Sequence, residues 1–540
     1  MLTFSNKRKF SGNFAFSPNS IFFAISKGVQ LVLYSNQALK PIKTFTFIDF
    51  IEDIQWSNDS QLILIGLYKR NICEIRSIQN ENYKCTIDES IQGISHALFS
   101  PDSLHILTIN QHVTKLTIRS LLNKSLLFIN LPKFAKKGLR FSSQGKGNFM
   151  ALAERKEAKD IIGIYYTLKW ACIRRFETET EDLQDLKWSY DNSSIIVIDT
   201  PSICKFLIYD ILGNLIQKID IYQYKLGIKK FEISPNGHLF CLGLYDQTLR
   251  IFNSVSYTCI SILEHDKDTL NDNSVNYYKE EVIDKEGRTK YIELKPPIDL
   301  KAENIYLKGK NLYNDKLPKI GIGKMTFSYD NNFMATKNDN MPNVLFIWDL
   351  NSMNLKTVLI HLNEVTYFKW SKNKNILFIS TNNNKLYYFT LDSCKILELA
   401  KDFHNKSLVF SYDGKKMIVK DDNSFIVVNI DDNQNIIFGT VMEIPYVPEV
   451  QDQQGQGEEY GQQRQYEQME GDQGAAVDAV EVVHGRWVKM DMHRGMENYK
   501  CSVCRSECYV PETMGEPMFP LCPYCGSRMD GRREGGNINA

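Results

Sequence analysis

The sequence predicts an all-β fold, a propeller of about nine blades, joined to a small cysteine-rich unit near its C-terminal end. Two observations predict the propeller: a serine-turn motif recurs at near-constant spacing over residues 1–440, and apolar runs alternate with polar turns between its copies. A third observation predicts the second unit, since five of the twelve cysteines lie between Cys501 and Cys525. The seven other cysteines are scattered singly, which is typical of reduced core residues.

The repeated motif consists of an apolar residue, a serine and a turn. Its nine copies begin at Phe16-Ser17, Trp56-Ser57, Phe99-Ser100, Phe141-Ser142, Trp188-Ser189, Ile233-Ser234, Phe327-Ser328, Trp370-Ser371 and Phe410-Ser411. Successive serines are 40, 43, 42, 47, 45, 94, 43 and 40 residues apart, and a period of about 40–45 residues is that of WD-type propeller blades. The longest gap fits either a long inserted loop at about 257–320, which gives nine blades, or a tenth, degenerate blade. The polar and charged composition of that segment favours nine.

Local turn chemistry explains each unit of the repeat. Ser234-Pro235-Asn236-Gly237 has the residues of a type I turn, with proline at its second position and glycine at its fourth. The run 239–244 that follows is apolar on both faces, as in a central strand packed between neighbouring blades. Because ring closure removes exposed sheet edges, we expect a WD40-type propeller over about 1–445 whose chain ends meet in one blade.

Composition excludes several classes of protein. Lys+Arg and Asp+Glu both number 64, so no net basic field favours nucleic acid or an anionic membrane surface. No apolar run approaches the ~18 residues of a membrane span. The basic start of the chain is not followed by an apolar segment, so secretion is not expected. We therefore expect a cytoplasmic protein without membrane or nucleic-acid partners.

Amino-acid usage divides the chain in two. Residues 1–440 contain 45 Lys and 10 Arg, whereas residues 441–540 contain 2 Lys and 7 Arg, a reversal that suggests genes of different base composition. Segment 446–476 is rich in Gln, Gly and acidic residues and too poor in aliphatic residues to bury a core, which predicts a disordered linker. We expect the propeller and the tail to be independent, and their join to be a recent fusion or an artefact of gene prediction.

The cysteine cluster predicts a zinc ribbon over 477–535. Cys501, Cys504, Cys522 and Cys525 form two CxxC pairs separated by 17 residues, a spacing that matches four-cysteine zinc sites. Four thiolates complete the tetrahedral coordination of zinc, so the ion would be structural, and Cys508 would be a spare thiol or an alternative ligand. Disulfides are the alternative, and the expected cytoplasmic location counts against them.

Two charged stretches are predicted to be exposed loops at equivalent places in two blades. The first contains Glu154, Arg155, Lys156, Lys159 and Asp160, and the second contains Lys337, Asn338, Asp339 and Asn340. Propeller loops carry partner contacts because rigid blades position them, and a merely solvated loop is the alternative. No nucleophile with a base, no carboxylate pair and no phosphate-binding loop stands out, which predicts no catalytic residue and no enzyme.

Several stretches between the motif copies resemble a known family, the centrosomal and spindle-pole WD-repeat proteins of the WRAP type. Among them are Leu67-Tyr68-Lys69-Arg70, Leu226-Gly227-Ile228-Lys229 and Lys319-Ile320-Gly321-Ile322-Gly323. The resemblance covers about 1–440 and implies a non-catalytic scaffold for spindle assembly and microtubule minus-end anchoring. It places the protein in the cytoskeleton, at the centrosome, spindle pole or a basal-body-like microtubule-organising centre. The partners implied are a coiled-coil anchoring protein and a minus-end-directed kinesin, with no small-molecule substrate.

The tail has a separate resemblance, and it leaves a second function open. His484-Gly485-Arg486-Trp487 and the two CxxC pairs resemble small zinc-ribbon proteins of Firmicutes and their phages. The alternative function is an RNA- or translation-associated propeller factor whose zinc ribbon contacts nucleic acid. The zero net charge of the chain and the lack of interleaved aromatic and basic residues in the ribbon count against it.

Overall fold

The computed structural model describes most of the first 443 residues and three strands beyond them. The described ranges are 12–89, 91–142, 147–222, 226–265, 273–284, 288–296, 313–314, 317–318, 320–391, 393–400, 403–421, 424–430, 436–443, 487–493, 496–501 and 507–511. The chain divides into two compact units, Met1–Val447 and Pro448–Ala540.

The first unit is a nine-bladed β-propeller, so the prediction of nine blades is confirmed. Each blade contains a four-stranded antiparallel meander whose strands pair in chain order, and the sheet of blade 7 has two further strands. First strands of adjoining blades contact one another, which places them at the centre of the ring.

The strand bounds follow the repeat closely in the first four blades. Blade 1 is β1–β4 (Phe14–Phe16, Phe22–Lys27, Gln30–Ser35, Pro41–Thr46). Blade 2 is β5–β8 (Asp53–Trp56, Leu62–Leu67, Ile72–Ser77, Lys84–Asp88), with the 3-10 turn Tyr68–Arg70 between its second and third strands. Blade 3 is β9–β12 (His96–Phe99, His105–Ile109, Lys115–Ser120, Leu126–Asn130) and blade 4 is β13–β16 (Leu139–Phe141, Phe149–Lys156, Lys159–Tyr166, Ala171–Glu177).

The remaining blades continue in the same order, with an insertion before blade 7. Blade 5 is β17–β20 (Asp185–Trp188, Ser194–Ile198, Cys204–Asp210, Leu215–Tyr222) and blade 6 is β21–β24 (Ile228–Ile233, Leu239–Leu244, Thr248–Asn253, Cys259–Glu264). The insertion holds β25–β28 (Asn276–Val282, Thr289–Leu294, Tyr313–Asn314, Leu317–Pro318). Blade 7 is β29–β32 (Ile322–Phe327, Phe333–Asn338, Val344–Asp349, Asn354–Ile360), blade 8 is β33–β36 (Tyr367–Trp370, Leu377–Ser380, Lys385–Thr390, Ser393–Glu398) and blade 9 is β37–β40 (Ser407–Phe410, Lys416–Lys420, Ser424–Ile430, Ile436–Glu443).

In seven of the nine blades, the Oγ of the motif serine holds the turn between the first and second strands by donating to the side chain two residues on and accepting from the backbone N–H five residues on. In blade 8, by contrast, Ser371 Oγ is buried without a hydrogen-bond partner. In blade 7, Ser328 Oγ donates to Asp330 Oδ1 at 2.6 Å and accepts from the backbone N–H of Phe333 at 2.9 Å. Ser328 is fully buried, so both bonds form in a low-dielectric environment where a lost partner is costly. Ser57 and Ser234 make the same pair of bonds in blades 2 and 6. The recurrence of serine in the sequence is therefore a requirement of this turn.

Apolar clusters fill the interfaces between neighbouring blades, including the one between blade 9 and blade 1. There, Phe23 and Tyr34 of blade 1 form one buried cluster with Phe425 and Val427 of blade 9. Each of these two blades is nevertheless a contiguous piece of chain with four strands of its own. The expectation that the chain ends share one blade is therefore wrong: blade 9 completes its own sheet, and side-chain packing closes the ring.

The insertion differs from the loop expected at 257–320. Residues Cys259–Glu264 are the outer strand of blade 6, and the insertion begins after them. Its hairpin, β25 and β26, extends blade 7 to six strands, because β25 pairs in parallel with the outer strand β32. Tyr277 of β25 is fully buried in the core between blades 6 and 7. This part of the insertion is thus an integral layer of the propeller.

The second unit is described by three strands, β41 (Trp487–His493), β42 (Met496–Cys501) and β43 (Glu507–Pro511), which form one antiparallel sheet. In the part of the chain that the structure describes, no helix has the length and apolarity needed to cross a membrane.

Candidate functional site

The first charged stretch lies at the hairpin between the second and third strands of blade 4. Strands β14 and β15 run through it as far as Lys156 and Lys159, and only Glu157 and Ala158 form the turn. Both turn residues have positive φ angles, 52° and 64°, as a tight two-residue type I′ hairpin requires. The predicted long loop is therefore a short hairpin, and all five predicted contact residues lie within its paired strands.

Asp160 is the centre of a buried ion network behind this hairpin. Its Oδ1 lies 2.8 Å from Lys133 Nζ and 3.4 Å from Arg155 Nη1, and its Oδ2 accepts the backbone N–H of Leu183 at 2.7 Å. Lys133 and Arg155 also bind Asp182 Oδ1, at 2.7 and 2.5 Å. Burial alone would raise the pKa of the Asp182 carboxyl, but the hydrogen bonds and charge of the two cations lower it below its usual value. The network ties blade 4 to the segment that enters blade 5.

Glu154 of strand β14 forms a second buried pair, on the opposite face of the same hairpin. It accepts a 2.5 Å hydrogen bond from Tyr165 OH and lies 3.3 Å from Arg175 Nε. Burial raises the pKa of the Glu154 carboxyl, although the bonds from Tyr165 and Arg175 act in the other direction. Of the predicted residues in this stretch, Lys156 and Lys159 are exposed, Arg155 is half-buried, and Glu154 and Asp160 are buried.

The second charged stretch lies at the equivalent hairpin of blade 7, and its first two residues are also buried in a strand. Lys337 Nζ donates to the backbone C=O of Val365 at 2.6 Å and lies 3.2 Å from Glu364 Oε1. The side-chain amide of Asn338, fully buried, donates to Gln247 Oε1 at 3.0 Å.

The turn itself holds the other two predicted residues. Asp339 Oδ2 lies 2.7 Å from Lys229 Nζ, which ties the turn to blade 6. The backbone N–H of Asn340 donates to Asn338 Oδ1 at 3.1 Å. Asp339 and Asn340 are partly exposed, and they are the members of this stretch that a partner could reach.

No sequence pattern predicts one polar network of blade 7. His265, which is 1% exposed, lies 2.7 Å through its Nε2 from Thr336 Oγ1. Trp348 Nε1 donates to the same oxygen at 2.9 Å, and the His265 ring packs edge-on against the Trp348 ring. The three residues come from three separate segments, so spacing could not reveal them. Trp348 alone carried a signal, since it belongs to the only WD dipeptide.

The two hairpins offer charged and amide side chains that hydrogen bonds and ion pairs hold in fixed positions. Their buried charges are paired with oppositely charged side chains, most of which lie outside the hairpins. Within the described residues, no group of three His, Cys, Asp or Glu side chains is placed to hold a metal ion. The side chains of the predicted zinc ligands lie outside the described residues: Cys501 is the last residue of strand β42, and Cys504, Cys522 and Cys525 are not described. Zinc binding stays a prediction.

Comparison with known proteins gives two related chains and a set of similar folds. No protein-family model matches the chain. The mouse (Mus musculus) WD repeat-containing protein WRAP73 is 28% identical over 459 residues, which cover 82% of this chain and 98% of that protein. An uncharacterized WD repeat-containing protein of Schizosaccharomyces pombe is 25% identical over 245 residues, 44% of this chain and 48% of that protein.

Similar solved structures are more distant. The C-terminal WD40 domain of Sif2 has a TM-score of 0.42 at 10% identity and covers 69% of this chain and 93% of that one. A eukaryotic initiation factor has a TM-score of 0.48 at 12% identity and covers 74% of this chain and 90% of that one.

Proposed function

We propose that this WD-repeat protein, a homologue of mouse WRAP73, is a non-catalytic scaffold of the centrosome, the spindle pole or an equivalent microtubule-organising centre. The observation that carries the proposal is the similarity over nearly the whole length of the mouse protein. It agrees with the resemblance seen in the first 440 residues, which implies spindle assembly and microtubule minus-end anchoring. A rigid nine-bladed ring suits this role because it holds many turns in fixed positions for protein contacts.

The partners we propose are a coiled-coil anchoring protein and a minus-end-directed kinesin. Contact would be made by the exposed members of the two charged hairpins, Lys156 and Lys159 on blade 4 and Asp339 and Asn340 on blade 7. The buried members, such as Asp160 and Asn338, would hold those hairpins in shape. This division gives the predicted contact residues two different roles.

For the tail we propose a structural zinc ribbon that is independent of the propeller. Its four-cysteine spacing supports the metal, and a closed four-thiolate site leaves no coordination position for a substrate. The ribbon would then add a second small folding unit to the scaffold without contributing catalysis.

Localisation of the full chain, fused to a fluorescent protein, tests the proposed function. We expect foci at the spindle poles in mitotic cells, coincident with a marker of microtubule minus ends. The double variant Lys156→Glu/Lys159→Glu should weaken the foci, while Lys169→Glu, an exposed lysine on the same blade, should leave them intact. A diffuse or ribosomal signal from the wild-type protein would overturn the proposal and favour a translation-associated role.

A further inference from the structure

Strand β12, the outer strand of blade 3, differs from the outer strands of the other eight blades. It consists of Leu126-Leu127-Phe128-Ile129-Asn130 and contains no charged residue, whereas each of the others contains at least one. Charged side chains on an edge strand discourage pairing with another chain. The side chains of Leu126, Leu127 and Phe128 are nevertheless exposed. This edge therefore presents apolar side chains to solvent without the charges that protect the other edges.

One side of the β12 backbone has no partner strand among the described residues. The backbone N–H of Leu131 donates to Thr114 O at 2.8 Å, which fixes the alternation of hydrogen bonds between β11 and β12. By that alternation, the N–H and C=O groups of Leu126, Phe128 and Asn130 point away from β11. The three residues are evenly spaced about Phe128, so a two-fold rotation through Phe128 would bring each outward N–H of one copy to an outward C=O of a second copy.

The absence of charge favours a second copy of this strand over a strand of another protein. When a strand pairs antiparallel with its own copy, a residue near the two-fold axis meets itself, so a charge there would face a like charge. Like charges directly opposite each other destabilise a sheet. A strand of another protein has no such restriction, because it can place an opposite charge across from each charged residue. Among the nine outer strands, β12 alone meets this condition of self-pairing at every position.

Pairing about Phe128 also covers both faces of the strand. Successive side chains point to opposite faces, so Leu126 and Phe128 lie on one face and Leu127 lies on the other. On the first face, Phe128 would lie directly opposite Phe128 of the second copy and diagonal to its Leu126. On the second face, Leu127 would lie opposite Ile129 of the second copy. Self-pairing therefore gives all three exposed apolar side chains an apolar neighbour across the pair.

The surface beside β12 carries no net charge. Two acidic and two basic residues line the cleft on each side of the strand: Asp88, Glu89, Lys115 and Arg119 towards blade 2, and Glu154, Glu177, Lys156 and Arg175 towards blade 4. Lys115 Nζ lies 3.5 Å from the centre of the Phe128 ring of its own chain, which offsets part of the charge that it brings towards the axis. Such a surface attracts neither an acidic nor a basic partner, and two copies of it do not repel each other through a net charge.

We propose that the protein forms a two-fold symmetric dimer in which β12 of one copy pairs antiparallel with β12 of the other, centred on Phe128. Each copy supplies three outward N–H groups and three outward C=O groups, enough for six hydrogen bonds. The two four-stranded sheets of blade 3 become one continuous sheet. Because both copies use the same surface, the pairing closes at two chains. The inference goes beyond the proposed scaffold function and does not depend on it.

Analytical ultracentrifugation of the purified full-length protein, in a reducing buffer and over a dilution series, tests the dimer. Phe128→Lys places two ammonium groups opposite each other at the axis. The matched control is Ile262→Lys, the same change at an exposed isoleucine in the outer strand of blade 6. We expect the wild-type protein and Ile262→Lys to sediment with twice the mass of one chain. Phe128→Lys should raise the dissociation constant of the dimer at least tenfold.

Cysteine cross-linking tests the register of the pair. Opposite residues of a hydrogen-bonded antiparallel pair have Cα atoms about 5.5 Å apart, which a disulfide can span. Under mild oxidation Phe128→Cys should therefore link two chains. Leu126→Cys should not, because four residues, about 14 Å along the strand, separate the two copies of position 126. Both variants are made with Cys172→Ser and Cys259→Ser, which remove two exposed thiols of the propeller, and mass spectrometry of peptides identifies the linked positions.

Three results would overturn the proposal. The first is a wild-type protein that sediments as a single chain at every concentration, which would leave the edge to a different protein. The second is a dimer that Phe128→Lys and Ile262→Lys weaken equally, which would place the interface elsewhere. The third is cross-linking through position 126 and not through position 128. If Phe128→Lys does not fold, the cross-link of Phe128→Cys decides the result. Spindle-pole foci are measured separately, so a dimer without foci contradicts only the proposed function, and foci without a dimer contradict only this inference.

Discussion

The backbone N–H of Asp413 donates to the side-chain Oγ of Ser20 at 3.0 Å, although the two residues are 393 positions apart in the chain. The same bond joins Asn19 to Ser60, also at 3.0 Å, and Asp59 to Ser103 at 3.2 Å. The link between blade 9 and blade 1 therefore repeats the link between consecutive blades. Ring closure in this propeller uses the ordinary blade-to-blade contact and exchanges no strand.

The first prediction concerns the aromatic contacts in the interface between blade 9 and blade 1. Phe425 is fully buried and meets the rings of Phe14, Phe23 and Tyr34 at 5.7, 6.0 and 5.7 Å between centroids. Phe425→Ala should lower the free energy of unfolding by about 3–5 kcal/mol, because it leaves a cavity in the closing interface. Denaturant unfolding measures the loss, and Tyr412→Ala, at an exposed ring on the same blade, should change it little. Equal effects of the two variants would contradict closure by this cluster.

The second prediction separates structural from exposed residues at the blade 4 hairpin. Asp160 has a side chain only 2% exposed and pairs with both Lys133 and Arg155. Asp160→Ala should destabilise the protein by about 1–3 kcal/mol, because it leaves the buried N–H of Leu183 without an acceptor and the buried ammonium of Lys133 with Asp182 alone. Lys156→Ala, whose side chain is 64% exposed, should leave the melting temperature almost unchanged. A large loss of stability in Lys156→Ala would show that the hairpin is packed differently.

The third prediction is a pH dependence caused by His361, which lies between blade 7 and the insertion hairpin. His361 Nδ1 is hydrogen-bonded to Tyr291 OH at 2.9 Å, and its ring packs edge-on against Tyr387. Burial lowers the pKa of His361 to about 3, against 6.5 for an ordinary histidine. A base with a lowered pKa binds its proton more readily in the unfolded state than in the folded state. The contribution of neutral His361 to the free energy of unfolding is therefore complete above pH 6.5 and is lost as the pH falls towards 3.

Between pH 7.5 and pH 5, the titration of His361 should lower the free energy of unfolding by about 2 kcal/mol. Denaturant unfolding at the two pH values should show it in the wild-type protein. The variant His361→Gln cannot titrate, and its stability should change less over the same interval by that amount. An identical pH dependence in the two proteins would mean that His361 is accessible to water and protons in the folded state.

The fourth prediction concerns zinc in the tail. Mass-spectrometric metal analysis of the full chain should give about one zinc ion per molecule. Cys501→Ser should remove the ion, since four thiolates complete the site, while Cys508→Ser should retain it. Zinc retained in Cys501→Ser, or lost in Cys508→Ser, would require a different set of ligands.

The fifth prediction is that the propeller does not need the tail. Removal of 446–540 leaves all nine blades, since the last strand ends at Glu443. The truncated chain should keep its melting temperature within about 2 °C and should keep its spindle-pole foci. A larger fall in melting temperature, or loss of the foci, would show that the tail contributes to the folded propeller or to its targeting.

Much of the propeller could be predicted from the sequence because one side chain makes the same pair of turn hydrogen bonds in seven of the nine blades. A serine such as Ser328 supplies a donor and an acceptor inside a buried turn, so its spacing reports the number of blades. Outer strands need no particular residue at a fixed position, and for that reason the sequence predicts a loop where Cys259–Glu264 forms a strand. The parallel pairing of β25 with β32 joins residues about 80 positions apart, such as Tyr277 and Val358, and no local pattern encodes it.

The charged hairpins show why candidate contact residues were harder to identify. Glu154 and Asp160 look like surface residues in the sequence, but both are buried and paired with cations or with a tyrosine hydroxyl. A run of mixed charge predicts solvent exposure only when no residue elsewhere in the chain pairs with its members, and Lys133 and Arg175 pair with Asp160 and Glu154 here. The exposure of Leu126, Leu127 and Phe128 in β12 could not be predicted for a related reason: an apolar run in a β protein predicts burial, but these residues lie in the outer strand of blade 3 and are 42%, 44% and 52% exposed.

The closure between the last and first blades also has a consequence for the order of folding. Strand pairing within a blade joins residues close in sequence, which favours rapid formation of local structure. The contacts that close the ring, such as Asp413 to Ser20, form only after nearly 400 residues have been brought together, and the entropic cost of loop closure grows with that length. The blades should therefore form before the ring closes. Until the ring closes, the faces by which the first and last blades pack on each other remain exposed to solvent. A growing chain on the ribosome would therefore expose this face of its first blade for most of its synthesis.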